Sequence, residues 1–380
     1  MNVQPVLQAV LSYAEARDYA GYDPYDALNS PLLRLLAGRG KWRRIAVTQW
    51  LKRCPLNLRP LLGVRPGHNP KALGLFLGGC SKLQRLQPRA GHERRIERLL
   101  DLLDALRSPG YSGNCWGYNF DWQSRTVFRP QGTPTIVNTA FIGHALLDCH
   151  ELTGNARALN LALPIKDFIL KDLRRTARDE TFCFSYTPID AEVVHNANLL
   201  GASLLIRLAG RLGEPGLREA ALASLAYSMR QQRPDGSWHY ADTSVQRWID
   251  SFHTGFNLQA VRWFLQAGYG REHEAAYRRG VRYYADTFFL ADGAPKYFHD
   301  RLYPIDIHAP AQAIAFFASM GSEHRELTDR VLDWMLRHLY DGQGRFYFQK
   351  HRWFTNRVCY MRWCQAWAFH ALGEYALWCA

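Results

Sequence analysis

Three histidines, His195, His253 and His308, fall in one column of a long internal repeat. The segments TIVNTAFIGHALL, EVVHNANLLGASL, DSFHTGFNLQAV, DIHAPAQAIAFF and MRWCQAWAFHAL align so that the column holds Val137, His195, His253, His308 and Trp363, at spacings of 58, 58, 55 and 55. Imidazole titrates near neutrality and serves as a general acid or base. Each histidine has an acid close before it: Asp190, Asp250 and Asp306 precede by five, three and two positions. A carboxylate at that distance can orient the ring and raise its basicity. The plainer alternative is that these acids cap helices.

Other chemistry-bearing groups cluster near the same junctions. Trp116 to Trp122 (WGYNFDW) interleaves aromatic platforms with Asp121, as a sugar subsite does. Asn138, Asn196 and Asn198 supply amides. Arg362 beside Trp363 can clamp a carboxylate at two points, or close an ion pair with Asp306 or Asp250. Proton abstraction next to a carboxylate needs a base, an opposing acid and groups that neutralise the carboxylate. His253 with Asp250 is the first base candidate, and His195 or Tyr240 the opposing acid. His308 and Asp306 complete the candidate catalytic set. Arg362, Asn138 and Asn198 would hold the carboxylate, while Trp116, Trp122, Trp238 and Trp363 would stack on sugar rings, with Asp121 alongside. Inverting hydrolysis would instead need two carboxylates across the sugar, drawn from Asp121, Asp190, Asp250 and Asp306. The sequence leaves both routes open.

Composition narrows the partners. The net charge of +13, from 47 Lys+Arg against 34 Asp+Glu, favours an anionic partner. The basic residues are dispersed and no nucleic-acid-binding motif is present, so nucleic acid is not expected. H-E-x-x-H is absent and no Cys joins the histidine column, so no metal is expected. P-loop and G-x-G-x-x-G fingerprints are also absent, and no cofactor is expected. None of the eight cysteines forms C-x-x-C, which suits reduced thiols and a cytoplasmic setting. No signal peptide is expected from the acid-containing N-terminal segment, and no stretch approaches the 18 or so apolar residues of a bilayer span. A soluble protein, or one peripheral to the inner membrane, follows.

A period of 55 to 58 residues is room for two helices and two loops. Charged, amphipathic stretches at about 92–107, 155–173, 214–232, 271–289 and 322–339 read as an outer layer. Partner helices starting near Asn138, Asn196, Thr254, Pro310 and Met361 carry Gly143, Ala145, Gly201, Ala202, Ala311 and Ala313. That composition permits close packing on both sides and suits an inner layer. Loops built on Asp235-Gly236, Asp292-Gly293 and Asp341-Gly342 join outer to inner helices at one end. A sixth pair is expected from Leu32–Cys54 as outer helix and Asn69 to Leu83 as inner helix. Stacked hairpins bury their faces against neighbours. The expectation is one all-α (α/α)6 toroid over residues 1–380, with an N-terminal hairpin and strap in 1–90 and five explicit repeats in 91–380.

The strings GYDPYDALNSPLL, CPLNLRPLLGVRPGHNPKALGLFL, WIDSFHTGFNLQAV and MRWCQAWAFHAL, taken in order, resemble the VpsJ-type bacterial polysaccharide biosynthesis proteins. The resemblance spans nearly the whole chain and implies a toroid with a role in capsule or exopolysaccharide production. Its partners would be an anionic glycan or lipid-linked glycan precursor and the polysaccharide synthesis machinery at the inner membrane. The role would be enzymatic, or that of a non-catalytic glycan-binding scaffold. More distantly, the architecture is similar to uronate lyases, glucuronyl C5-epimerases and unsaturated glucuronyl hydrolases.

Overall fold

A computed structural model describes residues 2–380. Six inner helices are Pro70–Leu86, Ile136–Thr153, His195–Leu212, Ser251–Gln266, His308–Ser319 and Trp367–Trp378, the last preceded by a π-helical turn at Met361–Ala366. Outer helices Ala90–Ala105, Pro215–Met229, Glu274–Phe288 and Arg325–Leu339 sit where charge periodicity places them. The second outer element is broken into Ala156–Ala162, Ile165–Asp167 and a π-helical turn at Phe168–Asp172. Pro164 lacks the amide that would carry the helix through.

The D-G loops repeat in detail. Asp235, Asp292 and Asp341 each accept, through Oδ1, the backbone N–H two residues on, from Ser237, Ala294 and Gln343. Gly236 and Gly293 hold φ of +94° and +87°, which side chains disfavour. A Cβ at Gly236 would strike the Arg279 carbonyl, and one at Gly293 that of Arg330. Each loop therefore docks on the next outer helix around the ring. Gly344 docks in the same way on Ala9.

That contact identifies the sixth outer helix. It is Gln4–Glu15, whose Leu7, Val10, Leu11 and Ala14 are buried in the main core. Leu32–Cys54, expected in that place, is not an outer helix. It forms helices Pro31–Ala37 and Lys41–Arg53, the second at the cavity mouth, with a separate small core of Ala27, Leu33 and Leu51. Gln4–Glu15 already fills that seat, and the large apolar residues Leu32, Leu35, Leu36, Trp42 and Trp50 of this segment face solvent instead.

Small residues do let inner helices approach. A Cβ on Gly143 would collide with Leu204, and one on Gly201 with Ile136. Gly201→Ala is expected to cost about 1–3 kcal/mol by overpacking, despite better helix propensity. A change in urea midpoint, with unchanged slope, would measure it.

The end of the barrel opposite the loops is tied by ions. Lys82 pairs with Glu374 at 3.1 Å, and Arg207 with Asp148 at 2.7 Å. Among the described residues no helix is long and apolar enough to cross a membrane.

Candidate active site

The loop end opens into a cavity of about 890 Å³. Inner helices deliver Lys71, Val137, His253, His308 and Trp363 to its lining. Lys71 is the second residue of the first inner helix, as Val137 is of the second. It is the sixth member of the column and escaped the sequence alignment because the connection from it to Val137 is longer than the repeat.

His253 is held by its own helix cap. Asp250 accepts the His253 backbone N–H at 2.9 Å through Oδ1, and its Oδ2 lies 2.6 Å from His253 Nδ1. A carboxylate only accepts, so Nδ1 carries a proton, and in the neutral ring the lone pair is on Nε2. The Trp248 indole donates a third bond to Asp250 at 3.0 Å. His253 lines the cavity and is partly exposed, while Asp250 is buried behind it. The ring of Tyr240 stands 4.6 Å from that of His253, and burial pushes its hydroxyl well above the usual tyrosine range.

His308 stacks on Phe252 at 4.7 Å and meets Trp363 edge-on at 4.4 Å. Phe252 lies between the two histidines, 4.2 Å from His253. Both nitrogens of His308 lack a hydrogen-bond partner although the residue is buried. Burial, then the nearby Lys71 and Arg362 charges, hold it neutral, with its pKa well below the ordinary histidine value. Lys71 is buried too. Its ammonium has no hydrogen bond or ion pair among the described residues, and it sits over Phe141 at 4.0 Å, with Trp367 and Phe256 at 5.2 and 5.3 Å. Burial drives its pKa well below the usual lysine value.

Lys71→Met is therefore expected to stabilise the fold by about 1–4 kcal/mol near neutral pH. The sign follows from proton linkage. With the folded pKa depressed, unfolding takes up a proton below about pH 10.5 and is favoured there. The advantage of Met should shrink as pH rises towards that value, which urea midpoints at pH 7 and pH 10 would show. A stabilising loss of this kind is expected at a position kept for binding.

The remaining candidates divide. Trp122, Tyr240, Asn196, Arg362 and Trp363 line the cavity, beside Tyr297. Arg362 is bidentate to Asp23, at 2.6 and 2.8 Å, and pairs with neither Asp250 nor Asp306. His195 does not reach the cavity. Its Nε2 lies 2.9 Å from Asp242, and Nδ1 faces Ser228. Its helix begins at His195 itself, after an extended Val194, whereas Ile307 before His308 is already helical. A one-residue change in helix start turns a side chain by about 100°, so Asn196 faces in instead.

Asp306 is sealed in the wall. It accepts the Trp363 indole at 2.7 Å, the His308 backbone N–H at 3.0 Å and Gln349 at 2.8 Å. Burial pushes its pKa up against those donors. Asp190 clamps Arg129 at 2.7 Å and takes the Thr187 hydroxyl. Asp121 accepts the Gln131 amide and pairs with Arg34, outside the lining. Asn198 spends its amide on Phe184, Ser224 and Ser228. Trp116 and Trp238 are buried and donate to the Leu103 and Ser228 carbonyls, so neither is a platform. Asn138 is buried off the cavity, and its amide has no hydrogen-bond partner among the described residues.

Residues missed by sequence reasoning complete the lining: Tyr25, Lys52, Tyr118, Tyr186, Trp248 and Arg301. Among the described residues, the lining carries Lys52, Arg53, Lys71, Arg125, Arg247, Arg301 and Arg362 against one carboxylate, Glu192. Glu192 is itself paired with Arg129. No group of three or more His, Cys, Asp or Glu side chains converges as a metal site among the described residues.

No family model matches this sequence, and no curated protein does. Solved structures do match in fold. A cellobiose 2-epimerase from Bacillus thermoamylovorans aligns over 82% of this chain and 87% of its own, with TM-score 0.64 and 12% identity. A GH76 α-mannanase from Bacteroides thetaiotaomicron aligns over 83% and 88%, with TM-score 0.64 and 13% identity. An unsaturated glucuronyl hydrolase specific for heparin aligns over 82% and 87%, with TM-score 0.55 and 13% identity. At these identities the likeness shows the all-α toroid fold.

Proposed function

We propose that this chain is a carbohydrate-active enzyme that moves a proton on an anionic sugar, a uronosyl unit of a glycan or lipid-linked glycan precursor. The observation that carries the reading is the Asp250–His253 pair, whose ring lines the cavity while the carboxylate holds Nδ1. His253 would take the proton from the carbon next to the sugar carboxylate. Lys71, taking up a proton when an anionic sugar enters beside it, would with Lys52 stabilise the enediolate charge that develops. Return of a proton to the opposite face, from Tyr240 or His308, would give epimerisation. Departure of the C4 oxygen with the sugar it carries, protonated by Tyr240 or His308 as the C4–C5 double bond forms, would give elimination. The neighbours that act on sugars with this fold, an epimerase and a glucuronyl hydrolase by name, agree with a sugar substrate. The resemblance to exopolysaccharide biosynthesis proteins suggests where such a sugar would come from.

Hydrolysis by Asp250 and Asp306 fits less well. Both carboxylates lie behind the wall, held by indole and amide donors. The test is incubation of uronosyl oligosaccharides in deuterated water. Deuterium at C5 of an inverted product, or a C4–C5 unsaturated product that has lost the C5 hydrogen, supports proton transfer. New reducing ends with neither deuterium at C5 nor an unsaturated product would replace it by hydrolysis, and binding without any product would leave a glycan-binding scaffold.

A further inference from the structure

Helices Pro31–Ala37 and Lys41–Arg53 turn an unusual amount of apolar surface to water. On Pro31–Ala37, Leu32, Leu35 and Leu36 share one face at helical spacing and are 52%, 80% and 59% exposed, while Leu33 and Ala37 face in. On Lys41–Arg53, Trp42 and Trp50 point outward at 71% and 52%. The following turns add Leu56 and Leu61. Beside them, a hairpin tip carries Trp353, 84% exposed, and Phe354, with Asn356 donating to the Cys54 carbonyl at 3.3 Å. Patches this rich in large apolar side chains mark a docking face.

Charge identifies what docks. Residues 31–66 contain nine Lys and Arg and no Asp or Glu. Arg59 is used up on Asp26, and Arg34 on Asp121. Arg39, Lys41, Arg43, Arg53 and Arg65 are exposed, with no ion pair among the described residues. Leucines that insert, tryptophans that sit at an interface and arginines that meet phosphates are together the composition of a helix lying in a membrane surface. A nucleic acid would use the cations and leave the leucines in water.

We propose that this face docks the protein on an anionic phospholipid bilayer. Trp42, Ile45, Gln49, Lys52 and Arg53 of the same helix line the cavity. Docking therefore brings the mouth to the bilayer surface, where a glycan tethered to a lipid would enter it. The docking does not depend on the chemistry proposed above and is tested without substrate.

The purified full chain is floated with phosphatidylcholine vesicles and with vesicles that also contain phosphatidylglycerol. Flotation with the second alone, weakened by salt, is the expected result. The triple change Leu35→Ser, Leu36→Ser and Trp353→Ser should lower partition by about tenfold or more, with unchanged circular dichroism. Arg39→Glu with Lys41→Glu and Arg43→Glu should abolish the preference for anionic lipid. Flotation with neither vesicle, equal flotation with both, or no effect of either set overturns the proposal. So does a dimer in sedimentation equilibrium that the leucine changes dissociate while vesicles go unbound, since the face would then join two copies of this chain.

Discussion

His253→Gln is expected to lower proton exchange at the sugar carbon by about 10²–10⁴-fold while glycan binding changes little. The lost imidazole is the cavity group whose lone pair is set by a buried carboxylate. Asp250→Asn sharpens the comparison. Asn caps a helix as well as Asp does, so the start of Ser251–Gln266 should survive. The amide, however, can turn a donor towards His253 Nδ1 and favour the wrong tautomer. A fall of about 10²-fold with an unchanged unfolding midpoint would then separate ring orientation from folding. Exchange rates from NMR in deuterated water, beside binding isotherms on the same glycan, provide the readout. Full turnover in both variants would remove His253 from the chemistry and with it the proton-transfer reading.

The largest structural effect is expected at Asp23. Its carboxylate holds Arg362 in two bonds, both residues are nearly sealed from solvent, and 339 residues separate them in sequence. Asp23→Ala leaves a buried guanidinium without its counter-charge and should cost about 3–5 kcal/mol. That is a large part of the stability of most domains. The double variant Asp23→Leu with Arg362→Met removes both charges and should recover much of the loss. Urea unfolding of the single and double variants measures the coupling. A single variant within about 0.5 kcal/mol of the parent would mean that Arg362 finds water or another acid.

The sequence pattern carried the ring and several of the residues that line its cavity, His253, His308 and Trp363 among them. Inner helices were legible because small residues and a repeated polar column recur at each start, and the D-G loops because Asp and Gly are both demanded by the turn. What the column could not convey was rotation. His195 and His308 occupy one alignment position, yet a one-residue change in helix start sends His195 into the wall and His308 to the cavity. Trp116, Trp238 and Asn198 misled for a related reason: side chains able to stack on or bond a sugar are equally able to tie loops together. Lys71 was hidden by a longer connection. The signal was available in Asn69-Pro70-Lys71, where a cap and an N1 proline place a lysine on the inward turn of an inner helix. The sixth outer helix was missed because Gln4–Glu15 precedes its inner partner by more than a repeat and its loop partner comes from the far end of the chain.

Gln4–Glu15 is synthesised well before the surfaces that receive it. Gly344 docks on Ala9, and Arg362 waits for Asp23. Until the final inner helix is made, the apolar side of that first helix has no seat, and the growing arc has an unclosed flank. Contacts of such long sequence separation are slow to form. A holding chaperone would find its binding surface on that flank. A circularly permuted chain, cut at the Gly213 turn with the old ends joined, would make this seam a local contact and should refold faster than the parent.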